Sequence, residues 1–315
     1  MTRRFGALRT EARNPRSRRL DLLPARAVVD LLLDEDRRAL QAARRAGAAV
    51  ARAASEFARC YAAGGRIVFA GAGTSGRLGV IEAAECPPTF GTDPRRIRAA
   101  IAGGRASVFA AREGAEDDTA AGARAVSSLG EGDLVVGISA SSVTPFVRGA
   151  LQQARRRGAA SVLVTCAGRR VERAVADIVI AIDTGPEVLT GSTRLKAGSA
   201  TKAVLNAITT AAMVELGKTY ENLMVDLRPG SAKLRDRARR IVARLGGVDE
   251  RKAARLLAAA GGETKTAIVM ARAHVPVAEA RERLNAAGGH LRAALGDGVR
   301  SVVWRLRGVD SKQQT

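Results

Sequence analysis

From Pro24 to about Tyr61 apolar residues recur every three or four positions. They begin at Leu31, Leu32 and Leu33 and continue through an Ala/Arg stretch that ends at Gly64-Gly65. This spacing keeps one helix face apolar and predicts a long amphipathic helix. Beyond it the period changes. Short, nearly continuous apolar runs appear at Arg66–Ala70, Ile97–Ala102, Asp133–Ser139, Ser161–Thr165 and Ile178–Ile182. Such runs, alternating with helical stretches, predict a parallel sheet covered by helices on both faces. A long helix is expected from Leu195 to Leu216. After Asp226-Leu-Arg-Pro229-Gly230 the strand pattern stops. Residues 231–293 read as short amphipathic helices broken at Gly246-Gly247, Gly261-Gly262 and Gly288-Gly289. Residues 1–20 are basic, hold Pro15 and lack a period, so they read as an arm that is disordered or wraps a partner. Ser311 to Thr315 are expected to fray. The expected division is an N-terminal arm and helix at 1–54, a sheet domain at 55–226 and a small helical domain at 227–315.

Composition narrows this picture. Of 315 residues, 46% are hydrophobic but only 3% aromatic, so the core must be built from Ala, Val, Leu and Ile. No apolar run reaches the roughly 18–20 residues that span a membrane. The net charge of +21 raises polyanion binding. Most of that charge is Arg in an Ala- and Gly-rich chain, which a GC-rich coding bias on solvated faces also produces. No zinc finger, RNA-recognition signature or aromatic-interleaved basic patch accompanies it, and no nucleic-acid partner is expected. Cys60, Cys86 and Cys166 are odd in number and form no CxxC, and His274 and His290 are the only histidines. Neither a disulfide framework nor a zinc site is expected, and a reducing cytoplasm is. Thr2-Arg3-Arg4-Phe5 is followed by charge, not by an apolar segment, so export is not expected.

Chemistry can gather where strands end. The first strand runs into Gly71-Ala-Gly73-Thr74-Ser75-Gly76-Arg77, where a helix N-terminus and two hydroxyls could hold an anion. The pattern formally matches GxGxxG, but the Thr-Ser pair favours a phosphate over a dinucleotide. The third strand ends in Ser139-Ala-Ser141-Ser-Val-Thr144-Pro145. Two hydroxyl-rich loops on neighbouring strands could surround one phosphorylated ligand. Glu85 precedes Pro87-Pro88, where the helix is expected to stop. Glu116 lies at the apparent start of another helix. From composition alone each acid reads first as a solvated surface group or an N-cap. Arg194 and Lys196, after the fifth strand, could neutralise a phosphate or carboxylate.

Together these stretches resemble the N-acetylmuramic acid 6-phosphate etherases, a family of the sugar isomerase (SIS) domain superfamily. The matching blocks are GAGTSGRLGVIEAAECPPTFG at 71–91, REGAEDD at 112–118, TGSTRLKAGSATKAVLN at 190–206, NLMVD at 222–226 and KTAIVM at 265–270. The arm TEARNPRSRRLD at 10–21 is similar to the family's opening. The resemblance implies an α/β fold: a flavodoxin-like SIS domain with a five-stranded parallel sheet, an N-terminal helical arm and a small C-terminal helical domain. It implies a cytoplasmic homodimer with no metal and no redox cofactor. It also implies a lyase that releases D-lactate from N-acetylmuramic acid 6-phosphate, leaving N-acetylglucosamine 6-phosphate, in cell-wall recycling or catabolism. Glu85 would be the catalytic acid and Glu116 the second catalytic glutamate. Gly73, Thr74, Ser75, Ser139, Ser141, Thr144 and Arg194 would bind the sugar phosphate.

The chemistry agrees with two carboxyls. Ring opening makes C1 an aldehyde and the C2 proton acidic. A carboxylate can then remove that proton, and a carboxylic acid can protonate the departing lactate oxygen at C3. Two rivals stand beside this reading: a non-catalytic sensor like the glucokinase regulatory protein, which has a duplicated SIS module, and an SIS-type aldose–ketose isomerase. One departure is plain. Where the family has Ser-Gly-Arg-Thr-Pro, this chain has Ser141-Ser142-Val143-Thr144-Pro145.

Overall fold

The computed structural model describes residues 6, 8–168 and 171–297. The expected fraying at 311–315 lies outside the described residues. The chain divides into two compact units, Met1–Leu216 and Gly217–Thr315.

The first unit opens with two helices, α1 (Ala25–Arg45) and α2 (Gly47–Ala62). The periodicity predicted one helix here. The break falls at Ala46-Gly47, where small residues hide a discontinuity from the pattern. Five strands follow: β1 (Ile67–Gly71), β2 (Ile97–Ile101), β3 (Leu134–Ile138), β4 (Ala160–Thr165) and β5 (Ile178–Ala181). They pair in parallel in the order β2-β1-β3-β4-β5. That order is the flavodoxin-like doubly wound one, and it reverses between β1 and β3.

Side chains alternate across the sheet, as the pleat requires. Ile67, Phe69, Leu134, Val136 and Ile180 face a core with α1, α2, α3 (Gly73–Phe90) and α6 (Lys196–Glu215). Val68, Val135 and Leu163 face a second core with α4 (Thr119–Ala125) and α5 (Pro145–Arg156). Both faces are dry, which is why the strands carry no polar alternation. Burial pushes the Cys60 thiol up to about 11 and the Cys86 thiol up to about 12, so neither is a ready nucleophile.

Two expectations are corrected. The helix holding Glu85 does not stop before the prolines: α3 runs through Pro87 and Pro88 to Phe90 and ends on left-handed Gly91. The missing N–H groups cost only the bonds to Ala83 and Ala84, and the Gly91 N–H bonds the Pro87 carbonyl at 3.0 Å to close the turn. The arm, expected to be disordered or to wrap a partner, lies instead on its own unit. Asn14 Nδ2 donates to Glu35 Oε2 at 3.0 Å and to the Pro186 carbonyl at 3.1 Å, and Ser17 Oγ donates to the Val188 carbonyl at 2.7 Å. Its polar residues hold a loop that has no secondary structure of its own.

The second unit opens with a small hairpin, β6 (Thr219–Tyr220) and β7 (Leu223–Met224), too short to leave a sequence period. Helices α7 (Ala232–Gly246), α8 (Glu250–Ala259), α9 (Thr264–Ala273), α10 (Val277–Ala286) and α11 (Leu291–Ala294) follow around their own core of Val225, Ile241, Val242, Ile268 and Leu284. The NLMVD and KTAIVM blocks meet here. Asp226 Oδ2 accepts from Lys218 at 2.6 Å and from largely buried Lys265 at 3.0 Å. Burial draws the Lys265 pKa down from its ordinary value, while Asp226 opposes the shift.

Candidate active site

The strand-to-helix turn after β1 is built by close approach. A Cβ on Gly71 would lie 2.7 Å from the Gly76 nitrogen, and one on Gly76 would lie 2.7 Å from the Gly71 carbonyl. Only glycine fits at both ends. The helix it launches has Ala72 at its cap position and no side-chain cap. The amides of Gly73, Thr74 and Ser75 therefore have no helical acceptors and can bind an anion.

Gly73 lines a cavity of about 180 Å³ together with Arg77, Arg112, Glu113 and Glu116. Arg77 is held in place by donating from Nε to the Val108 carbonyl at 2.9 Å. Glu116 sits on a short 3-10 turn, Ala115–Asp117, just before α4. Asp118, its neighbour, is the N-cap of α4 and accepts from the Ala121 N–H at 2.7 Å. The structural duty of a cap thus falls on Asp118 and leaves Glu116 to face the cavity.

The loop after β3 stands beside this one, because β1 and β3 are paired neighbours. Ser139 is buried, and its hydroxyl and that of Thr144 lie 2.8 Å apart. Ser141 is half-buried and accepts weakly from the Val143 N–H. Arg194 is exposed, on the loop before α6. The first turn of α6, just after that loop, is close to the turn after β1, since a Cβ on Gly198 would lie 3.7 Å from Thr74 Cγ2. Lys196 is not a free ligand cation: it is buried and paired with buried Glu35. Buried Glu187, which sequence reasoning left without a role, accepts from the N–H groups of Lys196 and Ala197 at 3.2 and 2.9 Å and so caps α6. Burial raises its pKa, against those bonds.

Glu85 is apart from this group. It is exposed on α3, twelve residues beyond Gly73, or about 18 Å along the axis. Its neighbour Glu82 is the buried acid, tied to Lys202 at 3.2 Å and to Thr209 on α6. One chain therefore brings Glu116 to the start of α3 beside Gly73 but carries Glu85 further along the helix.

The departure at 142–143 has a structural signature. Ser142 holds φ +66, in the left-handed region. A glycine takes that conformation freely, whereas an L-residue pays about 1–2 kcal/mol. Glycine returns part of this through unfolded-chain entropy. Ser142→Gly is expected to raise stability by about 0.5–1 kcal/mol, read as a higher urea midpoint at constant slope. Of the arginines near these loops, Arg77 lines the cavity. Arg148 is committed to the Ser142 carbonyl at 3.3 Å and to Glu172 at 3.5 Å.

Among the described residues no helix is long and apolar enough to cross a membrane, and no cluster of three metal-ligating side chains occurs. Residues 49–155 match the model of the glucokinase regulatory protein N-terminal SIS domain, and residues 115–211 match the SIS domain. The chain is 49% identical to the N-acetylmuramic acid 6-phosphate etherase of Cutibacterium acnes, over 91% of this chain and 95% of that one. It is 49% identical to that of Rubrobacter xylanophilus, over 95% and 100%, and 44% identical to that of Geobacillus thermodenitrificans, over 91% and 98%. With nearly half of all positions shared along the full length of these relatives, the chain belongs to the N-acetylmuramic acid 6-phosphate etherase family.

Proposed function

We propose that this enzyme cleaves the D-lactyl ether of N-acetylmuramic acid 6-phosphate by elimination and hydration, releasing N-acetylglucosamine 6-phosphate and D-lactate. The observation that carries the site assignment is the cavity where Glu116 faces the uncapped start of α3. The phosphate binds the amides of Gly73 to Ser75, with the hydroxyls of Thr74, Ser75, Ser139, Ser141 and Thr144 and the charge of Arg194 around it. Phosphate is remote from the bond that breaks, so its binding energy serves to hold C2 and C3 in position. Glu116 removes the C2 proton of the open-chain sugar. Glu85 protonates the lactate oxygen as the C3–O bond breaks. Water then adds to the double bond, and the reaction needs no net oxidation.

Glu85 reaches that site from a second copy, so the working unit is a homodimer. Two features support this. A cavity of about 180 Å³ is small for the substrate, since sites for ligands of this size run to about 300 Å³ or more. Around Glu85 the surface is apolar: Ile81 is 44% exposed, and Val80, Ala84 and Pro87 line a cleft of about 940 Å³ that reaches β2 and the 87% exposed Phe109. A cytoplasmic setting belongs to the same proposal, resting on three unbridged, buried cysteines.

Purified protein incubated with N-acetylmuramic acid 6-phosphate should release D-lactate. Accumulation of an isomerised sugar phosphate instead would favour the isomerase reading, and binding without turnover the sensor reading. Ser75→Ala should lose a charge-assisted bond of about 1.5–3 kcal/mol. Its preference for the phosphorylated over the unphosphorylated sugar should fall about tenfold or more, as read by titration calorimetry. An unchanged preference would remove Ser75 from the cradle.

A further inference from the structure

A second cavity, of about 400 Å³, lies between the arm, α1 and the loop 183–186 that follows β5. In sheet order β5 is the edge opposite β2, three strand spacings or about 14 Å from β1. The cavity is therefore separate from the one holding Glu116. Its walls are strongly cationic. Arg9, Arg16, Arg38, Arg45 and Lys196 line it, against the carboxylates of Glu35 and Asp183 alone. Asp183 is taken by Arg9 at 3.2 Å. Glu35 serves three cations at once, Arg16 at 2.8 Å, Arg38 at 3.0 Å and Lys196. Asp34, outside the lining, offsets Arg16 further at 3.2 Å. Arg45 has no ion-pair partner among the described residues.

Several guanidinium groups sharing one carboxylate in a concave, partly dry setting leave donor forks and positive charge in excess. Planar forks match the oxygens of phosphate in pairs, better than they match chloride or a lone carboxylate. The volume admits phosphate with a small organic group attached. We propose that this cavity is a second anion site that takes a phosphate dianion, free or as a small monoester, between Arg45, Arg38 and Arg16. Such an ion would fasten the arm to α1. The arm in turn holds the Pro186 and Val188 carbonyls, in the loop that leads to Arg194. Occupancy would thereby stiffen the segment that flanks the sugar-phosphate loop.

The test is calorimetric titration of the full chain with inorganic phosphate at low ionic strength, and separately with glycerol 3-phosphate. Two sites per chain are expected with at least one of these probes, because the loop after β1 also binds phosphate. Ser75→Ala should weaken one site and leave the other. Arg45→Gln should weaken that other site about tenfold, and Arg45→Lys, which keeps the charge but not the fork, should recover part of the loss. Arg38→Gln should act in the same direction as Arg45→Gln. Since Arg45 is exposed, its variants are expected to fold and to keep D-lactate release in phosphate-free buffer. Which probe fills the second site more tightly tells free phosphate from ester. A single site that Arg45→Gln and Arg38→Gln weaken and Ser75→Ala spares would uphold the proposal and remove the loop after β1 as a phosphate site; the absence, with both probes, of any site weakened by Arg45→Gln and Arg38→Gln would overturn it.

Discussion

Glu85→Gln and Glu116→Gln are each expected to lower D-lactate release by about 10²–10⁴-fold, the usual loss when general acid–base help is removed. Both should still bind the sugar phosphate, because the phosphate loops are intact in each. They should differ in isotope exchange. Glu116→Gln should suppress exchange of the C2 proton in D₂O, whereas Glu85→Gln should slow only the departure of lactate. The decisive result comes from mixing them. If Glu85 crosses from one copy to the other, a mixed dimer carries one site with both substitutions and one site with neither. Random exchange makes about half the dimers mixed, so roughly a quarter of the wild-type activity should return from two nearly inactive proteins. If both acids served the same chain, mixing would restore nothing. The expectation rests on the run of α3, which carries Glu85 about 18 Å from the helix start where Glu116 faces Gly73.

Much of this was legible in the sequence, and the unequal legibility has physical causes. Strands buried on both faces have to be continuous apolar runs, so β1 to β5 stand out to within a residue or two of their ends. The tight turn after β1 was legible because Gly71 and Gly76 are forced by backbone contact. The proposed roles of Glu85 and Glu116 come from the resemblance, since composition alone leaves them as surface acids. Long-range polar pairing is different. Asn14 is joined to Pro186, and Glu35 to Lys196, across more than 150 residues, and nothing local marks them as partners. The sequence therefore read the arm as disordered or wrapping a partner and Lys196 as a candidate ligand cation, and the fold uses both to satisfy a buried carboxylate. Pro87-Pro88 was overread for the opposite reason. A local rule predicted a stop, but in the last turn of a packed helix few bonds remain to be lost.

That buried carboxylate yields the largest expected effect on stability. Glu35 and Lys196 are nearly inaccessible, and Glu35 also receives Asn14 at 3.0 Å, Arg16 at 2.8 Å and Arg38 at 3.0 Å. Burial opposes ionisation of Glu35, but the hydrogen bonds from Lys196, Arg16 and Arg38 outweigh it and hold the carboxyl at about 2 instead of the ordinary 4.5. Removing one member of such a buried pair strands the other charge, at a cost of about 3–5 kcal/mol. Glu35→Gln is expected to lose that much near pH 7, because Lys196 stays buried without its counter-charge. The pH dependence follows from linkage. Between pH 4.5 and about 2 the unfolded chain holds a proton on Glu35 that the folded chain does not, so stability falls as pH drops through this window. Above it the contribution is complete, and below it the contribution is gone. Urea unfolding of wild type and Glu35→Gln should therefore differ most above pH 5 and converge towards pH 2. A constant difference across that range would mean that the loss comes from packing and not from the charge. Replacing Glu35 by Leu together with Lys196 by Met should recover part of the loss, since it strands no ion at the centre of the network. A double variant as unstable as Glu35→Gln would place the cost on the arm, whose Asn14 and Arg16 depend on the same carboxylate.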